Sequence, residues 1–316
     1  MDNNVKICAI VVTHNRKLLL AECLEAIKAQ SLSPHSIIIV DNASTDGTPN
    51  LLLDLGYIAN FPNDKFDDSF LDISKVEVNG YFVNIYYLRL NKNVGGAGGF
   101  YEGIKKAYEI NQDWFWLLDD DAIPDQNALF NLFNKICDLK DLNVGFLSSK
   151  VLWLDGTPHL MNLPGLKPVI NKIPFNCYED KGILLINSSS FVSLLISRET
   201  VSKIGLPIKE YFIWNDDFEY TWRITNSGYV GLYVKDSIVV HKTKTNYFSE
   251  GIYDWRFYYN VRNFLWTYKL HDKKKYFFYF LYHILMTFKT PFSFKLVNLR
   301  ACLASLFKTP KIEFLR

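Results

Sequence analysis

The sequence predicts an α/β protein built on a mixed, mostly parallel sheet that is flanked by helices. Short apolar runs rich in β-branched residues alternate with segments of helical periodicity through the first 140 residues. These runs carry almost no polar residue, which is typical of strands buried on both faces, as in parallel sheets. With 316 residues, of which 49% are hydrophobic, the chain can form a large core in one or two domains.

The alternation places strands and helices in the first part of the chain. The predicted strands and helices are, in turn, residues 7–12, 36–40, 81–90 and 114–118, and residues 18–30, 48–55, 101–110 and 125–139. Residues 56–80 mix aromatic residues with Asp, Asn and Pro, so we expect an irregular insertion there.

The alternation loosens after residue 140. The further predicted elements are strands at residues 146–154 and 183–196, a helix at 214–227, a strand or hairpin at 229–240, and a helix at 254–268. We therefore expect one α/β domain over residues 1–250 and a helical region over residues 251–316.

Charge and cysteine usage exclude several classes of protein. The 35 basic and 33 acidic residues give a net charge of +2, which argues against a general nucleic-acid binder. Five scattered cysteines without a CxxC pair predict a reduced, cytoplasmic protein rather than a disulfide scaffold. The N-terminus runs straight into a strand, and no apolar stretch reaches the length of a membrane span, so we expect neither a signal peptide nor a transmembrane helix.

Polar clusters follow four of the predicted strands. They are residues 13–16, 41–42, 91–99 and 119–121. Ligands of open parallel sheets bind beyond the carboxyl ends of the strands. The four clusters together therefore predict a single binding site at that edge of the sheet.

The aspartate triplet at residues 119–121 is the most informative cluster. Asp119 and Asp121 are two apart, so in an extended chain they project to the same side. Adjacent carboxylates repel one another unless a cation lies between them. Mg²⁺ or Mn²⁺ fits this oxygen-rich chemistry and commonly bridges carboxylates to a diphosphate. The alternative is a solvated acidic turn or helix cap before Pro124.

The glycine run at residues 93–100 matches neither the phosphate-loop pattern nor the dinucleotide pattern, which disfavours an NAD-dependent oxidoreductase. Its glycines still allow close approach of the backbone to a ligand. The N-terminus of the helix that follows suits an anionic or nucleotide-bearing ligand. The alternative is a tight strand-to-helix turn.

A second acidic group and a histidine add to these clusters. Asp216, Asp217 and Glu219 lie among aromatic residues. They are either acids favoured by a helix N-terminus or include a general base that faces the cleft. His241 ends an apolar strand and is either structural or a ligand.

Seven motifs bring these residues together in a fixed order. They are VVTHNR, IIIVDNASTDGT, NVGGAGGF, LLDDDAIP, WNDDFEYTWR, VVHK and YYNVRN. In this order they resemble the family 2 glycosyltransferases of GT-A fold, and within them the bacterial galactofuranosyltransferases and the related rhamnosyltransferases. The resemblance covers residues 5–265, so residues 1–250 are expected to form a GT-A catalytic domain.

The resemblance implies a role for each matching residue. Asp217 corresponds to the catalytic base, and Asp216 and Trp214 to acceptor contacts; Asn215 stands where a galactofuranosyltransferase relative carries Trp. The implied ligands of Mn²⁺ or Mg²⁺ are Asp119, Asp121 and His241. The implied contacts of the nucleotide-sugar donor are Thr13, Asn15, Arg16, Asp41, Asn42, Asn93, Gly95, Gly96, Gly98, Gly99 and Asp120.

The resemblance further implies an inverting hexosyltransferase of cell-surface polysaccharide synthesis. The expected donor is UDP-galactofuranose, and the expected acceptor is a glycan or a lipid-linked oligosaccharide. A rhamnosyltransferase that uses dTDP-rhamnose and a non-catalytic sugar-nucleotide-binding module are the alternatives.

The C-terminal region combines basic and aromatic residues. Three lysines at 273–275 precede an aromatic run at 276–282, and more basic residues follow. This composition predicts an interfacial position on anionic lipid, at the inner face of the cell membrane. The alternative is a helix packed on the catalytic domain or in a dimer contact, so a homo-oligomer is also compatible with the sequence.

Overall fold

The computed structural model describes residues 5–62, 66–78, 80–139, 142–248 and 252–315, apart from the side chains of Cys137 and Asp138. The strands are β1 (Ile7–Thr13), β2 (Ser36–Asp41), β3 (Ser69–Val78), β4 (Tyr81–Leu90), β5 (Trp114–Asp119), β6 (Ala122–Pro124), β7 (Val144–Leu152), β8 (Val169–Ile170), β9 (Ile173–Pro174), β10 (Ile183–Ile186), β11 (Leu194–Ser197) and β12 (Val230–His241). The helices are α1 (Lys17–Lys28), α2 (Thr48–Asp54), α3 (Gly95–Glu109), α4 (Ala128–Asp138), α5 (Arg198–Ile204), α6 (Asp216–Asn226), α7 (Phe257–His271), α8 (Lys273–Met286) and α9 (Phe292–Phe307).

The predicted mixed sheet is confirmed. Its main path runs β10-β12-β7-β11-β5-β1-β2-β4-β3, and β6 pairs with β12. The ladders from β5 through β1 and β2 to β4 are parallel, as is the pair of β7 and β12. Antiparallel strands β3, β10 and β11 complete the sheet. The parallel strands in its middle bring their carboxyl ends to one edge.

Helices cover both faces of the sheet. Along β1, alternate side chains enter two different cores, because successive residues of a strand face opposite sides. One core packs α1, α2 and α4 against the sheet, through Leu20, Leu52 and Leu129. The other packs α3, α5 and α6 against it, through Ile104, Val201 and Ile224. Burial on both faces explains why the central strands are apolar throughout.

Two predictions in the irregular parts of the sequence were wrong. Within the expected insertion at 56–80, residues 69–78 form β3, antiparallel to β4. Its side chains alternate in exposure because β3 is an edge strand with one solvated face. The single strand expected at 183–196 is two strands, β10 and β11, in different places of the sheet.

The glycine run differs most from its predicted conformation. Helix α3 begins at Gly95, not at residue 101, so most of the run is helical. A Cβ atom at Gly99 would lie 2.4 Å from Val12 Cγ1, and one at Gly103 would lie 2.4 Å from Ile10 Cγ2. These glycines therefore let α3 approach β1 more closely than any other residue would allow.

The C-terminal helices and the segment that follows them pack on the α/β part. Trp266 of α7 is buried with Ala97, Ile208 and Tyr211. The segment after α9 returns to the α/β part, where the amide of Leu206 donates to the carbonyl of Glu313 at 2.8 Å. The predicted domain boundary near residue 250 stays a prediction. Among the described residues, no helix has the length and apolar character needed to cross a membrane.

Gly95 and Gly96 offer a matched test of the close contact between the start of α3 and the backbone of Phe212. Gly95 has φ +76°, and a Cβ atom there would lie 2.0 Å from the carbonyl oxygen of Phe212, whereas nothing lies within 4 Å of a Cβ at Gly96. We expect Gly95→Ala to lower the free energy of unfolding by about 2 kcal/mol or more. Gly96→Ala should raise it by up to about 1 kcal/mol through helix propensity. Chemical denaturation measures the free energy of unfolding of both variants. Equal effects of the two substitutions would contradict the close contact at Gly95.

Candidate functional site

A cleft of about 840 Å³ opens at the carboxyl ends of β1, β2 and β5. All four polar clusters predicted from the sequence contribute to its wall, as do the residues before and at the start of α6. The predicted site residues that line it are Thr13, Arg16, Asn42, Asn93, Gly95, Gly96, Asp119, Asp120, Asp121, Trp214, Asp216, Asp217 and His241. The structure therefore brings most of the predicted residues into a single site.

The three aspartates at the end of β5 make different contacts. Asp120 Oδ2 accepts a hydrogen bond from Thr13 Oγ1 at 2.7 Å, and its Oδ1 lies 3.2 Å from Arg16 Nη1. The same guanidinium nitrogen lies 2.5 Å from Asp121 Oδ2. Asp119 remains partly exposed in the cleft. Asp120 therefore fixes the end of β1, while Asp119 and the Oδ1 atom of Asp121 are left to face a ligand.

The donor set of Asp119, Asp121 and His241 fits a divalent cation. One ligand atom from each lies within 4.8 Å of the others. His241 Nε2 lies 3.1 Å from Asp121 Oδ1, yet this buried oxygen has no hydrogen-bond partner. Two electron-rich atoms that meet without a hydrogen bond suit a shared positive ion.

A further contact sets the histidine for this role. His241 Nδ1 lies 2.8 Å from Asn162 Oδ1, and because an amide oxygen only accepts, Nδ1 carries the proton and donates it. The lone pair of a neutral ring then lies on Nε2, which faces Asp121. Histidines that bind metals are commonly oriented by such a hydrogen bond through the other ring nitrogen.

Burial and neighbouring charge pull the pKa values of these acids apart. Burial, followed by the charge of Asp121, raises the pKa of Asp119 to about 6. Burial also raises the pKa of Asp120 to about 7. For Asp121 burial opposes ionisation, but His241, when its ring is protonated in the absence of a cation, and Arg16 outweigh it and lower the pKa. The cluster thus concentrates negative charge beside the histidine.

The three acids near the start of α6 separate into two roles. Glu219 is fully buried, 2.9 Å from Arg223 Nε and 2.7 Å from His271 Nε2. It ties α6 to α7 and takes no part in the cleft. Asp216 and Asp217 line the cleft instead. The structure therefore places Asp216 and Asp217, and not Glu219, on the cleft wall, where a general base would have to lie.

Asp217 has the environment of a weakly acidic carboxyl group. Its Oδ1 accepts from the amide of Phe218 at 2.7 Å. Burial nevertheless raises its pKa to about 6, with a further contribution from Asp119. Burial and then Asp217 raise the pKa of Asp216 well above its usual value. The pair can therefore accept a proton near neutral pH.

The loop before α6 is held in an unusual conformation. Phe212, Trp214 and Asn215 all have φ between 65° and 67°, a region that non-glycine residues rarely adopt. The buried amide of Asn263, on α7, donates to the carbonyl oxygens of residues 211, 213 and 214 at 2.8–2.9 Å. Arg262 Nη2 reaches the carbonyl oxygens of residues 210 and 211. Helix α7 therefore fixes the backbone that carries Asp216 and Asp217.

On the other side of the cleft, Asn42 holds the glycine run. Its Nδ2 donates to the carbonyl of Gly95 at 3.0 Å, and its Oδ1 accepts from the amide of Val94 at 2.8 Å. Asn93 Oδ1 accepts from the amide of Gly95 at 2.8 Å. These contacts shape the wall that the resemblance assigns to the donor.

Four predicted donor contacts, Asn15, Asp41, Gly98 and Gly99, are not among the residues that line the cleft. Asp41 is fully buried and accepts from Tyr87, Arg89 and the amide of Ser44. The side chain of Asn15 accepts from the amide of Thr45. Gly98 and Gly99 face Val94 and Val12 inside α3. A role in donor binding stays a prediction for each of them.

Several residues of the cleft carried no signal in the sequence. Asn162 lies in a short 3₁₀ turn (Leu160–Asn162) within an irregular segment, and no pattern links it to His241. Trp255, Arg256 and Asn260 come from the start of the C-terminal helices. The Arg256 guanidinium lies 4.5 Å from the centre of the Trp214 ring, so this wall is aromatic and positively charged. The aromatic residues at 253–259 are frequent in the sequence, but no pattern there ties them to the cleft.

A family model described as glycosyl transferase family 2 matches residues 8–60 and 63–162. Together with the relatives below, this match confirms the resemblance of the motifs. The chain thus matches the glycosyltransferase family 2 model over just under half of its residues and has galactofuranosyltransferases among its relatives. Galactofuranosyltransferase GlfT1 of Mycolicibacterium smegmatis is 29% identical over 234 residues, which cover 72% of this chain and 68% of that protein. GlfT1 of Mycobacterium tuberculosis H37Rv is 27% identical over 235 residues, 70% of this chain and 64% of that protein.

Two solved structures support the fold alone. GalNAc-T7 with UDP, GalNAc and Mn²⁺ superposes with a TM-score of 0.64 at 14% identity, over 95% of this chain and 55% of that one. TarS 1–349 of S. aureus in complex with UDP-GlcNAc superposes with a TM-score of 0.57 at 13% identity, over 95% of this chain and 81% of that one. The predicted GT-A fold with a helical C-terminal part is confirmed.

Proposed function

We propose that this protein is an inverting, metal-dependent hexosyltransferase. It transfers galactofuranose from UDP-galactofuranose to a hydroxyl of a glycan or lipid-linked oligosaccharide in cell-surface polysaccharide synthesis. One observation carries the proposal: the cleft joins a cation-binding donor set to the carboxyl group of Asp217, whose pKa is raised to about 6. Departure of a nucleoside diphosphate is assisted by a cation, and an acceptor hydroxyl needs a group such as the Asp217 carboxylate to accept its proton.

The chain's own residues supply the steps around the reacting centre. Asp217 accepts the proton of the acceptor hydroxyl, and that oxygen attacks the anomeric carbon from the face opposite the nucleotide. One displacement inverts the centre, so no covalent enzyme nucleophile is needed. Arg16, half exposed beside the aspartates, adds positive charge on the donor side. A bound Mn²⁺ or Mg²⁺ supplies neutralisation of the charge on the departing diphosphate.

The identity of the donor sugar is the more specific part of the proposal. Galactofuranosyltransferase relatives at 27–29% identity favour UDP-galactofuranose. The motifs are shared with rhamnosyltransferases, so dTDP-rhamnose is the second candidate. The presence of both the cation ligands and Asp217 disfavours a non-catalytic binding module.

The compartment belongs to the proposal as well. The cysteines Cys8, Cys23, Cys177 and Cys302 form no disulfide, which suits a reducing compartment. We therefore place the reaction in the cytoplasm.

Asp121 tests the cation site without requiring activity. We expect Asp121→Ala to weaken Mn²⁺ binding about tenfold or more, because one of three protein ligands is lost. Titration calorimetry with Mn²⁺ in the presence of UDP measures this. Asp125→Ala is the matched control, since Asp125 is exposed four residues further on. Equal Mn²⁺ affinity in both variants would remove Asp121 from the site.

Asp217 tests the catalytic base. Asp217→Asn is nearly isosteric but cannot accept a proton, so kcat should fall about 10²-fold or more with little change in donor affinity. In the wild-type enzyme the carboxylate is the active form and its pKa is about 6. The transfer rate should therefore drop as the pH falls below about 6 and level off above it. A variant that lost donor binding yet kept kcat would give Asp217 another role.

A panel of donors tests the function as a whole. UDP should compete for the enzyme better than dTDP, and UDP-galactofuranose should be turned over in the presence of Mn²⁺. A site that hydrogen-bonds the sugar hydroxyls rejects the wrong sugar strongly, because unpaired buried polar groups are costly. Turnover of dTDP-rhamnose alone would replace the donor, and absence of turnover with every nucleotide-sugar would favour the binding module.

A further inference from the structure

The outer faces of α8 and α9 carry a concentration of exposed apolar side chains. Of the 28 large hydrophobic side chains that are exposed among the described residues, 12 lie between residues 277 and 307. We call these twelve the α8–α9 face. They are Phe277, Phe278, Leu281, Tyr282, Leu285, Phe288, Phe292, Leu296, Leu299, Leu303, Leu306 and Phe307. A surface of this extent marks an interaction site.

The spacing shows that this exposure is a property of the helices and not of frayed ends. On α9 the exposed residues recur every three or four positions, which places them along one side of the helix. The opposite side is packed, with Ala301 and Cys302 buried against Val261 and Leu265 of α7. On α8, Tyr279 and Ile284 pack toward the same cluster. The hairpin of α8 and α9 therefore packs on the protein through its inner side and exposes a second apolar side.

The charge of the same segment has one sign. Residues 273–311 contain eight basic residues and no acidic one. The basic residues are Lys273, Lys274, Lys275, Lys289, Lys295, Arg300, Lys308 and Lys311. The whole chain has a net charge of only +2, so this positive charge is a local feature.

The end of the hairpin lies beside the cleft. Phe294, in the first turn of α9, packs on Tyr253 and Phe257 with ring centres 5.5 and 5.8 Å apart. Trp255, between those two residues, lines the cleft and is 63% exposed. Phe288, Phe292 and Phe307 are the three most exposed aromatic residues of the face. The first two lie at the turn between α8 and α9. A flat partner on the α8–α9 face would therefore lie close to the mouth of the cleft.

We propose that the α8–α9 face binds the surface of an anionic lipid bilayer. Aromatic and leucine side chains that project from helices lying flat can enter the boundary between headgroups and acyl chains, while lysines beside them contact anionic headgroups. A second copy of this chain fits less well, because a two-fold contact through this face would bring the positively charged segment 273–311 of one copy close to that of the other.

Flotation with lipid vesicles tests the proposal on the full chain. We expect the protein to float with vesicles of phosphatidylcholine and phosphatidylglycerol, to bind less as salt rises, and to stay unbound with phosphatidylcholine alone. Replacing Lys273, Lys274 and Lys275 together by Ala should weaken binding about 100-fold, since each basic residue near an anionic surface contributes about fivefold. The control replaces three exposed lysines elsewhere, Lys6, Lys75 and Lys167, and changes the net charge equally.

A second pair of variants tests the apolar contribution. Leu285→Glu changes a side chain that is 67% exposed on α8, and Ile73→Glu changes one that is 56% exposed on β3. The first should reduce vesicle binding about tenfold or more, and the second should leave it unchanged. Circular dichroism and thermal unfolding check that each variant is folded. The measured quantity is vesicle binding, which does not depend on transferase activity.

Three outcomes would overturn the proposal. One is the absence of flotation with anionic vesicles. Another is an equal loss of binding in the lysine variant and its control. The third is a concentration-dependent dimer in sedimentation velocity that Leu285→Glu abolishes while vesicles bind no protein, which would assign the face to a second copy of the chain.

Discussion

Three consecutive carboxylates at the end of β5 set the main constraint on this protein. Buried acids that lie side by side repel one another, so each needs its own compensation. Asp120 receives it from Thr13 and Arg16, and Asp121 from Arg16. Asp121 Oδ1 meets His241 Nε2 without a hydrogen bond. These side chains come from β1, the N-terminal flank of α1 and the end of β12. The charge of one tripeptide thus fixes how distant parts of the sheet meet at a common edge, and it leaves Asp119 and Asp121 open to a cation.

A second constraint lies across the cleft, in the loop that carries Asp216 and Asp217. Its backbone adopts φ values that cost free energy, and contacts from both sides hold it. Gly95 allows the carbonyl of Phe212 to approach α3, where it accepts from the amide of Ala97. Asn263 binds the same loop from α7. The C-terminal helices are therefore part of the scaffold of the site, in addition to the surface that α8 and α9 present.

Local patterns predicted the central strands and most helices closely. The strands at β1, β2, β4 and β5 were predictable because burial on both faces leaves runs of apolar β-branched residues that no helix explains as well. Predictions were wrong where this signal is absent. Strand β3 lies at an edge, and its half-polar sequence is typical of a loop as much as of a strand. The glycines of α3 were expected to form a turn, because the sequence does not show that β1 passes beneath them.

The sequence by itself determined the parallel core, the order of the motifs and the residue types available for chemistry, since these depend on local periodicity and on spacing along the chain. Only the tertiary structure decided which of those residues share the cleft. It placed Asp217 on the cleft wall and turned Glu219 inward to Arg223 and His271. It also brought Asn162 to His241, although 79 residues separate them. Such contacts are made between elements distant in sequence, so they follow from packing and charge compensation across the sheet rather than from any local pattern.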